Sequence, residues 1–248
     1  MRFLTFLTLS FFISLNTYSQ GWIDGGIKAG FGITQLVNQN VWDNSEVVNK
    51  LSFGNSFGGK LGLNFNLNYQ ITVDFIYTSA NQEFEFQPKD YNNNQTLSKN
   101  ISYNSFDIPL LFRHNSNNGS FLEIGPQISF IKKVEQDFEG TSANIKESFE
   151  KTNFGAVIGI GSFVMGSKNL YLVFGVRAHY GFQDILSKEG GKNSEAYLPI
   201  ENNELGADFK FDNYKKTSPI SLLAYLEINY DLAYLVRSNC KRTALKFF

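Results

Sequence analysis

Cysteine, proline, histidine and any surplus of one charge are all scarce in this chain of 248 residues. A single cysteine, Cys240, rules out an internal disulfide framework and any cysteine-rich metal site. Lys+Arg number 22 against 23 Asp+Glu, so the clustered basic excess that nucleic-acid binding needs is missing. Charged residues are only 18% of the chain and the mean hydropathy is −0.21, too apolar for a disordered charged tail. Stretches rich in Ala, Lys and Glu are few. Against these shortages stand 25 Phe, 12 Tyr and 21 Gly, a composition that predicts an all-β protein.

Uninterrupted apolar sequence occurs once, from Phe3 to Leu15 behind Met1-Arg2. A positive start, an apolar middle and small residues at Thr17 and Ser19 predict an export signal cleaved between Ser19 and Gln20. The run is short of the roughly 20 apolar residues of a spanning helix. No cysteine follows it, so no lipoprotein anchor is expected. The best later candidate for a helical span, Leu222 to Val236, is broken by Glu227 and Asp231.

From Gln20 onward the dominant period is two, the mark of strands with one apolar and one polar face. Eight such runs can be drawn. They begin at Trp22, Ser56, Gln70, near Phe106, near Leu122, and at Phe154, Leu170 and Ile220. In the first, Ile27, Ala29, Phe31 and Ile33 oppose Lys28, Gly30 and Gly32; in the third, Ile71, Val73, Phe75 and Tyr77 oppose Thr72, Asp74 and Thr78. Connections after even-numbered runs are short and turn-rich, such as Asn117-Asn118-Gly119 inside 114–120. Those after odd-numbered runs are long and polar: 35–55, 87–100, 132–151 and 183–217. Short turns at one end and long loops at the other predict an eight-stranded antiparallel up-and-down transmembrane β-barrel. The expected organisation is a signal peptide over 1–19, the barrel over 20–236 and a short basic tail over 237–248.

A soluble exported barrel would turn its apolar face inward, and a membrane barrel turns it outward. The polar face here is rich in glycine and in single charges of both signs, as suits the crowded interior of a narrow barrel. Lys28, Lys60, Asp74, Asp107, Arg113, Glu123, Arg177 and Glu227 are the expected lumen charges, with Lys28 and Asp231 also readable as solvated mouth residues. Mixed signs on neighbouring strands, such as Arg177 and Glu227, predict a plug of ion pairs, because a dehydrated charge is costly unless paired. Trp22, Tyr77, Tyr180 and Tyr230 fall near run ends, where interfacial ring girdles are expected. Pro109 and Pro126 each delete a ladder donor and are expected to face one another, or nearly so, at a single local bulge near the periplasmic end.

Three segments carry a family resemblance: Gly26-Ile27-Lys28-Ala29-Gly30-Phe31, Phe106-Asp107-Ile108-Pro109-Leu110-Leu111-Phe112-Arg113 and Ile124-Gly125-Pro126-Gln127-Ile128. Together with Asn153-Phe154-Gly155-Ala156-Val157-Ile158-Gly159, they resemble the outer-membrane β-barrel family that includes the PorT-like proteins. The resemblance implies an eight-stranded barrel in the outer membrane of a Gram-negative cell; some members are linked to a protein-secretion apparatus, and no catalytic residues carry over. Members usually end on an aromatic residue within the last strand. Tyr230 fits that place, yet this chain continues through Arg237, Lys241, Arg242 and Lys246 to Phe248.

Chemistry is thin elsewhere. The two histidines fall at opposite barrel ends, His114 by a short turn and His179 near the long loops, and make no zinc site. Glycine pairs such as Gly159 and Gly161 sit within a strand with no helix after them, so they do not cradle phosphate. No cofactor, metal or catalytic residue is expected. The expected role is structural or interactive, through long outer loops that meet lipid, lipopolysaccharide or a protein partner, in a monomer. The alternatives are a small porin-like transport or binding barrel and, behind it, a lipid-modifying enzyme using His179 near Asp184 and Ser187. Glu201, Glu204, Asp208 and Asp212 in the last loop form an acidic face that is either solvated or bridges lipopolysaccharide through divalent cations.

Overall fold

Eight long antiparallel strands close into a ring in the computed structural model, which describes residues 21–43, 47–86, 96–138, 140–187, 215–237 and 243–247. The ring consists of β1 (Gly21–Asn38), β3 (Ser52–Asn64), β4 (Tyr69–Phe86), β5 (Leu97–Asn115), β6 (Ser120–Phe138), β8 (Thr152–Ser167), β9 (Leu170–Gly181) and β10 (Thr217–Arg237). A ladder from Gly21↔Leu235 to Asn38↔Thr217 joins β10 back to β1. Short pieces sit on the long-loop side: α1 (Gln39–Trp42), β2 (Val47–Lys50) against β4, and β7 (Thr141–Asn144) against β6. The expected export signal, and Glu201, Glu204, Asp208 and Asp212, lie outside the described residues.

Period two places the side chains as the alternation dictates. Ile27, Phe31, Phe57, Leu61, Phe75, Phe112, Ile124, Phe174 and Leu226 point outward and are exposed, Phe31 at 61% and Phe57 at 62%. Their strand neighbours Lys28, Lys60, Asp74, Arg113, Glu123 and Glu227 point inward and are buried to 4% or less. In water this arrangement is inside out, because large apolar groups face the solvent while charges fill the middle. In hydrocarbon it is the stable one, since the closed ring leaves no unpaired edge strand and turns its apolar side chains to the lipid. Rings gather at both edges of the belt. Trp22 lies 6.4 Å from Tyr234 and Tyr69 lies 5.7 Å from Phe112 at the short-turn end; Phe31 stacks on Phe53 at 5.6 Å near the other. Tyr69 and Tyr77 on β4 are separated by about 27 Å of strand, the extent a tilted membrane-crossing strand needs.

Beyond the belt the pattern inverts. On β4 the outward positions pass from Phe75 and Tyr77 to Ser79, Asn81, Glu83 and Glu85, while Ala80 and Phe84 are now buried inside. On β5, outward Ser102 and Asn100 accompany inward Tyr103 and Ile101. Glu85 pairs with Lys50 of β2 at 2.9 Å on this outer surface. The strands thus leave hydrocarbon just past Tyr77 and continue as a water-exposed sheet with an apolar core of its own. That core joins Leu36, Val41, Val47, Ile101, Val134, Phe149, Ile185 and Leu186 above the barrel.

Three expectations change. The long connections contain more strand than expected, because β5 starts already at Leu97 and β6 runs on to Phe138, with β7 after it; the alternation continues along these strands, as at the end of β4, with its polarity reversed. The two prolines nearly face one another, as expected, but at a local gap in the ladder rather than at a bulge. Pro109 is paired with Gln127, one position from facing Pro126, and the register is continuous from there to Phe112↔Ile124. Only the intervening pairs are lost. Gly125 fits this gap because a Cβ there would stand 1.9 Å from the Leu110 carbonyl oxygen. The real shift of the β5–β6 ladder lies between Asn104 and Ser105, opposite Lys132, and it keeps Val134 facing inward. At the C-terminus, Thr243–Phe247 forms β11 on the end of β10, from Ala233↔Phe247 to Arg237↔Thr243, so the segment 237–248 carries a short ladder.

Candidate functional site

Inside the membrane belt, four cations and four carboxylates from seven strands meet in one band. Lys28 of β1 reaches Asp74 of β4 at 2.8 Å and Glu227 of β10 at 3.0 Å. Lys60 of β3 contacts the other oxygen of Glu227 at 2.9 Å and Asp24 of β1 at 3.6 Å. Arg113 of β5 donates to Glu123 of β6 through Nε at 3.0 Å and Nη2 at 2.9 Å, and approaches Glu227 at 3.4 Å. Arg177 of β9 donates to Asp74 at 2.6 Å and, through Nε, to Glu123 Oε1. The Tyr225 hydroxyl donates to the same Glu123 oxygen at 3.1 Å. Rings pack against the cations: Tyr225 lies 4.6 Å from Lys28 Nζ, and the Arg113 guanidinium lies 4.1 Å over Phe121. The band is electrically neutral. Each carboxylate has at least one cation, which is the condition under which buried charges persist.

Seven of the eight charges singled out from the sequence meet here, and Asp107 does not. It lies higher in the lumen, where it accepts from the Thr78 hydroxyl at 2.6 Å, and no cation pairs with it among the described residues. Asp24 takes the fourth anionic place instead. Its signal was available, since it shares the inward parity of Lys28 on the first strand. Asp107, Asn153 and His179 line a small chamber of about 70 Å³ between the charge band and the apolar core above. Over it lie Ile185, from the segment after β9, and the backbone bridge between Phe149 and Leu186.

No catalytic arrangement forms around the histidines. His179 faces the chamber, paired across the ladder with Ser221. The groups near it in sequence serve the fold: Asp184 accepts from the N–H groups of Leu186 and Thr217, and the Ser187 hydroxyl donates to the Glu147 carbonyl. His114 is exposed at the end of β5, where its ring lies 5.0 Å from Tyr69. Among the described residues no group of three or more His, Cys, Asp or Glu converges as a metal site.

Several solved outer-membrane structures resemble the chain. Neisserial surface protein A is 12% identical, with 83% of this chain and 96% of that one covered at a TM-score of 0.42. The outer membrane protein OprG from Pseudomonas aeruginosa is 9% identical, with 86% and 96% covered at 0.43. The attachment invasion locus protein Ail of Yersinia pestis, in complex with the heparin analogue sucrose octasulfate, is 11% identical, with 84% and 99% covered at 0.40. No curated protein matches the sequence. The profile of the family described as "Outer membrane protein beta-barrel domain" matches residues 19–187, which include the first seven of the eight strands of the ring, through β9. The chain therefore belongs to the outer membrane protein β-barrel domain family and resides in the outer membrane.

Proposed function

We propose that this chain is a closed, monomeric barrel that acts through what its outer surface contacts, as a structural or interaction protein rather than as a conduit or a catalyst. The observation that carries this reading is the neutral band of buried ion pairs, which crosses the lumen beneath an apolar core. A solute crossing the barrel has to break several buried pairs and displace Leu186, Phe149 and Val134. Either step leaves charges or apolar groups without their partners. The aromatic girdles suit lipid and lipopolysaccharide as the lateral surroundings. The water-exposed sheet built on β4, β5 and β6 is the surface on which a protein partner would dock, because its length exceeds what barrel closure requires. Purified protein in planar bilayers tests the closed state: the expected record shows no stable porin-sized conductance, and sustained channels of that size contradict the proposal.

A further inference from the structure

At the short-turn, periplasmic end the barrel holds a second cavity, of about 390 Å³, that shares only Asp24 with the charge band. Asp24 and Asp231 oppose each other on its wall across the β1–β10 ladder. Around them stand the amides of Gln70, Asn115 and Asn229 and the rings of Trp22 and Tyr171. Four oxygens on this wall have no hydrogen-bond donor among the described residues: Asp24 Oδ1, Gln70 Oε1, Asn115 Oδ1 and Asn229 Oδ1. Each belongs to a side chain at least nine-tenths buried. Two of the amides have their orientation fixed, since Gln70 Nε2 donates to Asp24 Oδ2 at 2.5 Å and Asn115 Nδ2 to the Leu67 carbonyl at 3.4 Å. The carbonyl oxygens are the ends left over.

Buried acceptors are rarely left without donors, and here every unmet group is an acceptor. Asp231 adds one carboxylate beyond the neutral band. Lys60 stands 3.6 Å from Asp24 but is already held at 2.9 Å by Glu227, and Asp231 has no cation within ion-pair distance among the described residues. A ligand for this wall brings N–H and O–H donors, carries positive charge and presents a face to the two rings. A bare metal ion would occupy little of the space, given that one water takes about 30 Å³ of liquid. We propose that the periplasmic mouth binds a small hydroxylated ammonium compound of the amino-sugar class, with its ammonium at Asp231 and Asp24 and its hydroxyls on the amide oxygens.

Trp22 and Trp42 are the two tryptophans of the chain, so Trp42→Phe leaves a single emitter, Trp22, in the cavity wall beside Asp231. Titrating this variant in micelles with glucosamine is expected to give a saturable change in emission. Adding Asp231→Asn, which keeps the shape and removes the charge, is expected to weaken binding about tenfold, as is replacing glucosamine by uncharged N-acetylglucosamine. Asn229→Leu serves as the second variant should Asp231→Asn lose its folded emission, with the same weakening expected. The proposal is overturned by any of three results: no saturable change with glucosamine, equal affinities for the charged and uncharged sugars, or a response to calcium where glucosamine gives none.

Discussion

Glu227 is the residue on which the barrel interior depends most. Its two oxygens serve Lys28, Lys60 and Arg113 from three different strands, and it is wholly buried. Removing it takes one partner from each of three buried cations, leaves Lys60 with only Asp24 at 3.6 Å and gives the dehydrated band a net positive charge, so Glu227→Ala is expected to lower stability by about 3–5 kcal/mol, measured by urea unfolding of the protein refolded into vesicles. Asp107→Asn is expected to cost no more than about 1 kcal/mol, because the Thr78 hydroxyl bond survives in the amide and no cation loses its partner. A similar loss for the two variants would refute the assignment of Glu227 as the hub. Parity along each strand made most of these charges legible in the sequence. Which charge pairs with which depends on the stagger between strands: Arg177 was expected beside Glu227, and it pairs instead with Asp74 and Glu123.

Strands record the solvent they cross. On β4 the outward side chains are Val73, Phe75 and Tyr77 below the boundary and Asn81, Glu83 and Glu85 above it. Phe75→Arg is therefore expected to destabilise the inserted barrel by about 2–4 kcal/mol, and Asn81→Arg by less than about 1 kcal/mol, with refolding yield and unfolding midpoint in vesicles as the readouts. The sequence 83–86, Glu-Phe-Glu-Phe, announces a strand as clearly as any in the belt. Period two alone does not show that its polarity is that of a soluble sheet following a membrane one. In the proline hairpin, sequence distance from the turn placed Pro109 and Pro126 nearly opposite each other, as the ladder does, but did not show that the register continues past them without a bulge. Gly125→Ala drives a methyl group onto the Leu110 carbonyl and is expected to destabilise the barrel by about 1–3 kcal/mol. Pro126→Ala is expected to be tolerated within about 1 kcal/mol, since it restores a donor without adding bulk. Thermal midpoints of the two variants check this contrast.

The whole molecule is a membrane cylinder with a water-facing crown. In the lower part charges are inside and apolar groups outside; in the upper part the two exchange places, and the small polar chamber lies at the crossover. The eight-stranded ring was legible from its period-two runs and its two unlike ends from the alternation of loop lengths. The crown was not, because its apolar core is assembled from positions far apart in sequence, such as Leu36, Phe84, Val134 and Leu186. The central claim is that hydrocarbon surrounds the belt and water surrounds the crown. Spin labels placed singly at positions 75, 77, 81 and 83 of β4, in a Cys240→Ser background, measure this directly in lipid vesicles. Labels at 75 and 77 are predicted to collide mainly with dissolved oxygen, and labels at 81 and 83 mainly with a water-soluble nickel chelate. Equal access of the chelate to all four positions would contradict the account.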